Sequence, residues 1–418
     1  WVGMRFFSRS HLVLFLTACG NAGQLGGAPD GGAAPPWASA SGDRMAPLPP
    51  ENVGSSTHFI THEQCAQCHV GGAPNVMLDA KGRDVSPVTT WRTSMMALAV
   101  RDPFYLATFS QELAHRPNAT AVVEKTCSVC HAPAAVTDAT TDGFAVTFAS
   151  LTTGTARSDH LARDGVTCSL CHQIQPTGLG TFQSFTGRYT VGDSRQIFGP
   201  YDNPMTSPMQ TFVSYTPMKG SQIGESALCA TCHTVITKTL DASGNPTGPS
   251  FVEQGAYLEW RSSDFNAEGT PGPRAASCQS CHVPELDQDG ATISAVLSKT
   301  PSTGLTPRTP IGRQRFVGGN AQILSVMADW TSWTGSATAS SELLDAAERA
   351  KASLASAATL TIAKAQRSGE SAEIDVTVEN RTGHKFPTGY PSRRAWIHLR
   401  ATQNGKVVFE SCRADDYG

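Results

Sequence analysis

The sequence predicts a mainly irregular and α-helical body followed by a small antiparallel β domain that is sandwich-like and truncated. Three observations carry that prediction. One five-residue phrase occurs five times, as Cys65-Ala-Gln-Cys68-His69, Cys127-Ser-Val-Cys130-His131, Cys168-Ser-Leu-Cys171-His172, Cys229-Ala-Thr-Cys232-His233 and Cys278-Gln-Ser-Cys281-His282. The 418 residues include 38 Gly and 26 Pro and are only 39 % hydrophobic, so turns abound and apolar side chains are few for a chain of this length. From Thr359 onward, Leu360 and Ile362, then Ile374, Val376 and Val378, then Ala395, Ile397 and Leu399, then Val407 and Phe409 alternate with polar residues at period two.

The repeated phrase is Cys-x-x-Cys-His, the attachment signature of c-type haem. Its two thiols form thioethers to the haem vinyl groups, and the histidine that follows is delivered to the iron as proximal ligand. Structural zinc would use Cys-x-x-Cys pairs two at a time to close a tetrahedron and would not require a trailing His; five pairs is also an odd number. A redox dithiol normally occurs once. Five covalently bound haem c groups are therefore expected, and the fold class becomes a mainly irregular/α multihaem cytochrome domain with its β unit behind it. Macrocycles are large apolar bodies, and loops that wrap them need fewer Leu and Phe of their own.

Five domains or segments are expected. Met4 reads as a start, followed by Arg5, Arg9 and the apolar run Leu12 to Leu16, too short to span a bilayer. Residues 1–18 are read as an export signal of the lipoprotein type, with Leu16-Thr-Ala-Cys19 resembling a lipobox in which Cys19 becomes acylated; an ordinary signal peptide is the alternative. Residues 19–55, rich in Gly, Ala and Pro, read as a flexible tether. Residues 56–335 form the pentahaem region, 336–357 a connecting helix and 358–418 the β-rich domain, incomplete because four strands fall short of a sandwich. The formal charge of −3, made more negative by loss of the leader's Arg5 and Arg9, leaves no basic field for phosphates, so no nucleic-acid partner is expected.

Within the haem region, Trp91 to Tyr105 reads as two helices meeting at Asp102, an N-cap followed by Pro103 at the first helical position. Thr177 to Ser221 reads as loop. A short helix is expected over Tyr257 to Arg261, and Gly318-Gly319-Asn320 should open an apolar helix ending near Trp330. Ser341 should open another, with Leu343, Ala347, Ala350 and Leu354 on one face.

Trp91 to Tyr105, Asp164-Gly-Val-Thr-Cys168, Phe316-Val-Gly-Gly-Asn320 and Asn380-Arg-Thr-Gly-His384-Lys-Phe-Pro-Thr-Gly-Tyr-Pro-Ser-Arg-Arg-Ala-Trp396 together resemble exported bacterial multihaem c-type cytochromes of the cytochrome c-554-like group. The resemblance spans roughly residues 56 to 412, and it implies electron transfer or, less often, multihaem reductase or oxidase chemistry. One departure concerns Arg313-Gln314-Arg315, which stand where members of the group often offer a His.

Sixth ligands separate a carrier from a catalyst, because iron held from both sides exchanges electrons only. Outside the phrases and the leader stand His58, His62, His115, His160, His384 and His398. His384, on a loop between strands, is the first candidate, able to reach back from the β unit onto a haem. His62 and His58 precede the first phrase, His115 ends a helix and His160 lies eight positions before Cys168; each has a surface or dipole role as its alternative. His398 shares a strand face with Trp396 and reads as packing. Met95 and Met96 are thioether candidates that the resemblance raises, Met96 ahead; core filling is the alternative, and Met218 is a weaker option.

The expected function is a lipid-anchored pentahaem cytochrome that mediates electron transfer in the periplasm or at the outer membrane, with redox proteins, other multihaem cytochromes among them, as partners. The alternative is a multihaem oxidoreductase acting on a small nitrogen or sulfur compound at an open haem. No cluster of Tyr, Lys and His marks such a site, and no catalytic residue is assigned.

Overall fold

A computed structural model of the chain describes residues 2–5, 45–72, 76–301, 304–369, 371–391 and 393–413. Val2–Arg5 is a strand (β1); the rest of the expected leader, the candidate lipidation site Cys19 and most of the expected tether lie outside the described residues. Among the described residues no helix is long and apolar enough to cross a membrane. The chain divides into two compact units, one holding residues 46–356 with 383–385, the other holding the strands from residue 357 onward together with β1.

The larger unit is a succession of short helices joined by turns. It begins with α1 (His62–His69) and α2 (Pro87–Trp91), the latter opened by Pro at its first position. The helix expected from Trp91 to Arg101 stops at α2 and gives way to turns. Its carbonyls serve neighbours instead of a helical ladder: Met96 O accepts from Val166 N at 3.0 Å and Ala99 O from His131 Nδ1 at 3.0 Å. The expected junction at Asp102 is present, its carboxylate accepting from Phe104 N at 2.8 Å to cap α3 (Pro103–His115).

Next come α4 (Thr120–His131), α5 (Pro133–Asp142), α6 (Phe148–Thr152), α7 (Arg157–Arg163) and α8 (Cys168–Cys171). Between α7 and α8, Gly165 has φ +63, and a Cβ there would stand 2.5 Å from Met96 O; only glycine lets this turn lie against the 92–101 segment. The stretch expected as loop contains β2 (Gln196–Gly199) parallel to β3 (Thr216–Lys219), with α9 (Ser207–Val213) between them. Four-residue strands are too short for a period to register in sequence. After α10 (Ser226–His233) an unanticipated hairpin pairs β4 (Val235–Leu240), mostly half-buried, with β5 (Pro246–Gln254), largely exposed. Then follow α11 (Ala256–Arg261), α12 (Cys278–His282), α13 (Ala321–Asp329), α14 (Thr331–Thr334) and α15 (Ser340–Ser356). On α15, Leu343, Ala347 and Ala350 are buried as the spacing requires, but Leu354 is 40 % exposed, one turn beyond the reach of α13.

The described apolar residues gather in four small clusters. One surrounds Phe59, Phe109, Leu151 and Leu161; a second packs Trp91 and Leu98 on α13 and α15; a third joins Val85, Ile293 and Ile311; the fourth joins Phe185, Ala230, Tyr257 and Trp260. Scattered clusters are what the modest apolar fraction leads to when something other than side chains fills the middle.

The second unit contains β6 (Ala358–Ser368), β7 (Ser371–Asn380), β8 (Leu399–Gln403) and β9 (Lys406–Ser411). β6 and β7 pair antiparallel in a sheet ordered β1-β7-β6, and β8 and β9 form a separate hairpin. The period-two residues meet in register, Leu360 opposite Val378 and Ile362 opposite Val376. Ala395 and Ile397 lie before β8, which begins at Leu399. Leu360, Ile362 and Val378 are 58, 64 and 50 % exposed, so the alternation marks a strand face that no second sheet covers among the described residues.

Candidate cofactor-attachment sites

All five Cys-x-x-Cys-His phrases fall on helical turns: the first on α1, the second at the end of α4, the third on α8 with His172 as its C-cap, the fourth on α10 and the fifth on α12. In a helix, residues i, i+3 and i+4 share a face. The two thiols and the imidazole of each phrase are thereby presented together. All ten thiols are free.

Four of the five imidazoles are fixed in the same way, with Nδ1 against a backbone carbonyl: His69 on Leu297 O at 2.7 Å, His131 on Ala99 O at 3.0 Å, His172 on Phe198 O at 2.6 Å and His282 on Val317 O at 2.8 Å. A carbonyl only accepts, so Nδ1 carries the proton and Nε2 keeps its lone pair. Burial lowers the pKa of each of these four rings, which keeps them neutral. Neutral imidazoles with Nε2 free and Nδ1 anchored are the state a metal requires. His131 is held further by Tyr105, whose ring stacks on it at 3.8 Å and 3°.

Thiols of different phrases lie near enough to influence one another's titration: Cys65 and Cys168, Cys130 and Cys232, Cys229 and Cys278, and Cys171 and Cys232. The first phrase is thus beside the third, the third beside the fourth, and the fourth beside both the second and the fifth. Burial pushes the Cys127 and Cys171 thiols up to about 12, whereas the neighbouring Cys229, working against burial, draws Cys278 down to about 7. Tetrahedral zinc gains no support from this arrangement. Among the described residues the one group of three potential ligands drawn together is Glu51, His62 and Glu63, and it contains no thiol.

The candidate sixth ligands separate. His384 belongs to the larger unit, held there by Lys385 N donating to Glu259 Oε2 at 3.1 Å. Its ring faces that of His282, centres 6.5 Å apart and planes 17° from parallel, and its Nδ1 donates to Lys385 O at 2.9 Å. A metal held between two imidazoles at about 2 Å from each nitrogen sets ring centres about 6 Å apart. The two rings stand at a spacing close to that of two axial ligands on one iron, which makes His384 the described candidate nearest to His282. His58 Nδ1 lies 2.7 Å from Oδ1 of the buried Asp138, an orienting contact of the kind ligating imidazoles have, while its Nε2 is 3.7 Å from Asp193.

His62 is otherwise engaged. Nδ1 lies 2.5 Å from Asp164 Oδ1 and Nε2 3.7 Å from Glu51. Burial pulls its pKa down, but the carboxylates of Asp164, Glu63 and Glu51 outweigh that and raise it to about 9. The ring is a cation in an acidic nest, and an imidazolium has no lone pair for iron. His160 Nδ1 accepts from Arg163 Nη2 at 3.2 Å. His115 ends α3 exposed to solvent, and His398 Nε2 pairs with Glu410 at 3.0 Å. Met95 packs in the cluster that includes Cys168, Met96 is half-buried with its carbonyl on Val166 N, and Met218 is 39 % exposed on β3.

Sequence reasoning missed Asp138, Asp164 and Tyr105, which orient His58, His62 and His131. The lead-in Asp164-Gly165 was the one visible signal. Comparison of the chain with family models, with curated proteins and with solved structures found no match.

Proposed function

We propose that this chain is a pentahaem c-type cytochrome that relays electrons in the periplasm or at the outer membrane, tethered through a lipid on Cys19 and exchanging electrons with redox proteins. The observation that carries this reading is the nearness of the five phrases, each with two free thiols on one helical face, neighbouring thiols being Cys65 and Cys168, Cys171 and Cys232, Cys130 and Cys232, and Cys229 and Cys278. Each covalently held haem would supply a one-electron iron couple.

The chain's own part is to attach, orient and insulate. Cys65, Cys68, Cys127, Cys130, Cys168, Cys171, Cys229, Cys232, Cys278 and Cys281 would hold the macrocycles. His69, His131, His172, His233 and His282 would be the proximal ligands, and His384 the distal partner of His282. His58, oriented by Asp138, is the next distal candidate. Anchoring Nδ1 to a carbonyl raises ligand basicity and fixes each ring against rotation.

Three measurements test this. Intact mass of the exported protein should exceed the polypeptide by five haems; a colourless product ends the reading. Electron paramagnetic resonance should show low-spin iron that ignores nitrite, hydroxylamine and cyanide. A high-spin signal that shifts on adding nitrite or hydroxylamine would instead make the chain an oxidoreductase acting at an open haem. Palmitate incorporation lost in Cys19→Ala checks the anchor, and equal labelling of both proteins would remove it.

A further inference from the structure

We propose that Arg315 and Arg349 form a binding site for a small oxyanion group, either a haem propionate or a free inorganic oxyanion. Both side chains line one recess, together with Thr93, Ser94, Met95 and Asn320, and no lining residue is acidic. Arg315 sits on the segment leading into α13, and Arg349 reaches across from α15. Among the described residues neither guanidinium makes an ion pair with a carboxylate. Arg349 Nη2 donates to Thr93 Oγ1 at 3.3 Å, and Asp345 and Asp84 act on Arg349 and Arg315 respectively only from a distance.

The neighbourhood compounds the excess. Arg313 stands two residues before Arg315, its Nη2 on Leu286 O and its buried Nε without a partner. The nearby Asp79 and Asp287 are taken by Arg83. Burial first, then the guanidiniums of Arg313 and Arg349, pulls Arg315 down to about 10. Two planar forks converging on a site short of negative charge suit a carboxylate or a small inorganic oxyanion, which accepts several N–H bonds at once. The same segment braces the fifth phrase, since Phe316 N donates to His282 O at 3.0 Å and His282 Nδ1 to Val317 O. Charge in the recess is therefore placed to influence whatever His282 ligates.

The propionate source rests on the cytochrome reading, and the free-anion source does not. Protein whose haem content has been fixed by mass is titrated calorimetrically with sulfate and, separately, with nitrite at low ionic strength, beside Arg315→Gln/Arg349→Gln. Saturable one-site binding that weakens tenfold or more in the double variant identifies a free oxyanion. No binding to the parent protein, with one haem potential falling in the double variant and its pH dependence moving upward because the propionate has lost its cations, identifies a propionate. The proposal is overturned if anion binding is the same in both proteins, or if there is no binding and the two redox titrations superimpose. Circular dichroism of the double variant verifies that it folds, and Arg315→Lys/Arg349→Lys, which keeps both charges, should restore the parent behaviour in part. A mass lacking haem defeats the cytochrome reading while leaving the sulfate and nitrite titrations interpretable.

Discussion

Each imidazole is sorted by what its Nδ1 touches. A carbonyl on Nδ1 leaves a neutral ring with Nε2 available, as at His69, His131, His172 and His282. A carboxylate on Nδ1, joined by two further carboxylates, makes a cation of His62. Replacing His384 with Ala should convert one haem in five from low-spin to high-spin, with the other four unchanged in the visible and paramagnetic resonance spectra. No change would remove His384 from the ligand set. His62 carries a pH signature. Its folded pKa is raised from 6.5 to about 9, so its protonated form stabilises the fold, fully so below about pH 6.5, and the contribution is lost as pH rises through about 9. The loss is on the order of 3 kcal/mol at most. Urea unfolding should therefore show stability falling between those limits in the parent protein, with a flatter profile in His62→Gln.

Single elements show where sequence reading succeeds. Asp102-Pro103, the apolar run of α13 and the small-residue face of α15 carry their own local signals, a cap or a 3.6-residue period, and each gives the element expected. Trp91 to Arg101 had helical composition, but its carbonyls were claimed by Val166 and His131, partners far along the chain that no local pattern announces. The β4–β5 hairpin failed for the opposite reason, having almost no buried face to create an alternation. In the candidate site, attachment and proximal candidates could be named from sequence because the proposed covalent chemistry demands a fixed spacing. Distal partners were not, because they arrive from anywhere in the fold. The packing of α13 on α15 can be weighed directly. Leu343 is fully buried there, and Leu343→Ala should cost about 2–5 kcal/mol in chemical unfolding, with Leu354→Ala costing well under half of that.

Across the whole molecule, four small clusters replace a single core among the described residues of the larger unit, and five helical segments carry the Cys-x-x-Cys-His phrases. Expressed where haem is not attached, the chain should lack a cooperative thermal transition and be cut rapidly by protease throughout residues 56–335. The exported, haem-loaded protein should resist and melt in one or a few sharp steps. Equal protease resistance in the two forms would mean that the polypeptide closes its interior unaided.

The thiol proximities also say which phrases are neighbours: the fourth lies near the second, third and fifth, and the first lies near the third. Under the proposed relay, loss of a haem at Cys229-Ala-Thr-Cys232-His233 would deprive three of the other phrases of a neighbour at once, whereas loss at the first or the fifth would deprive one.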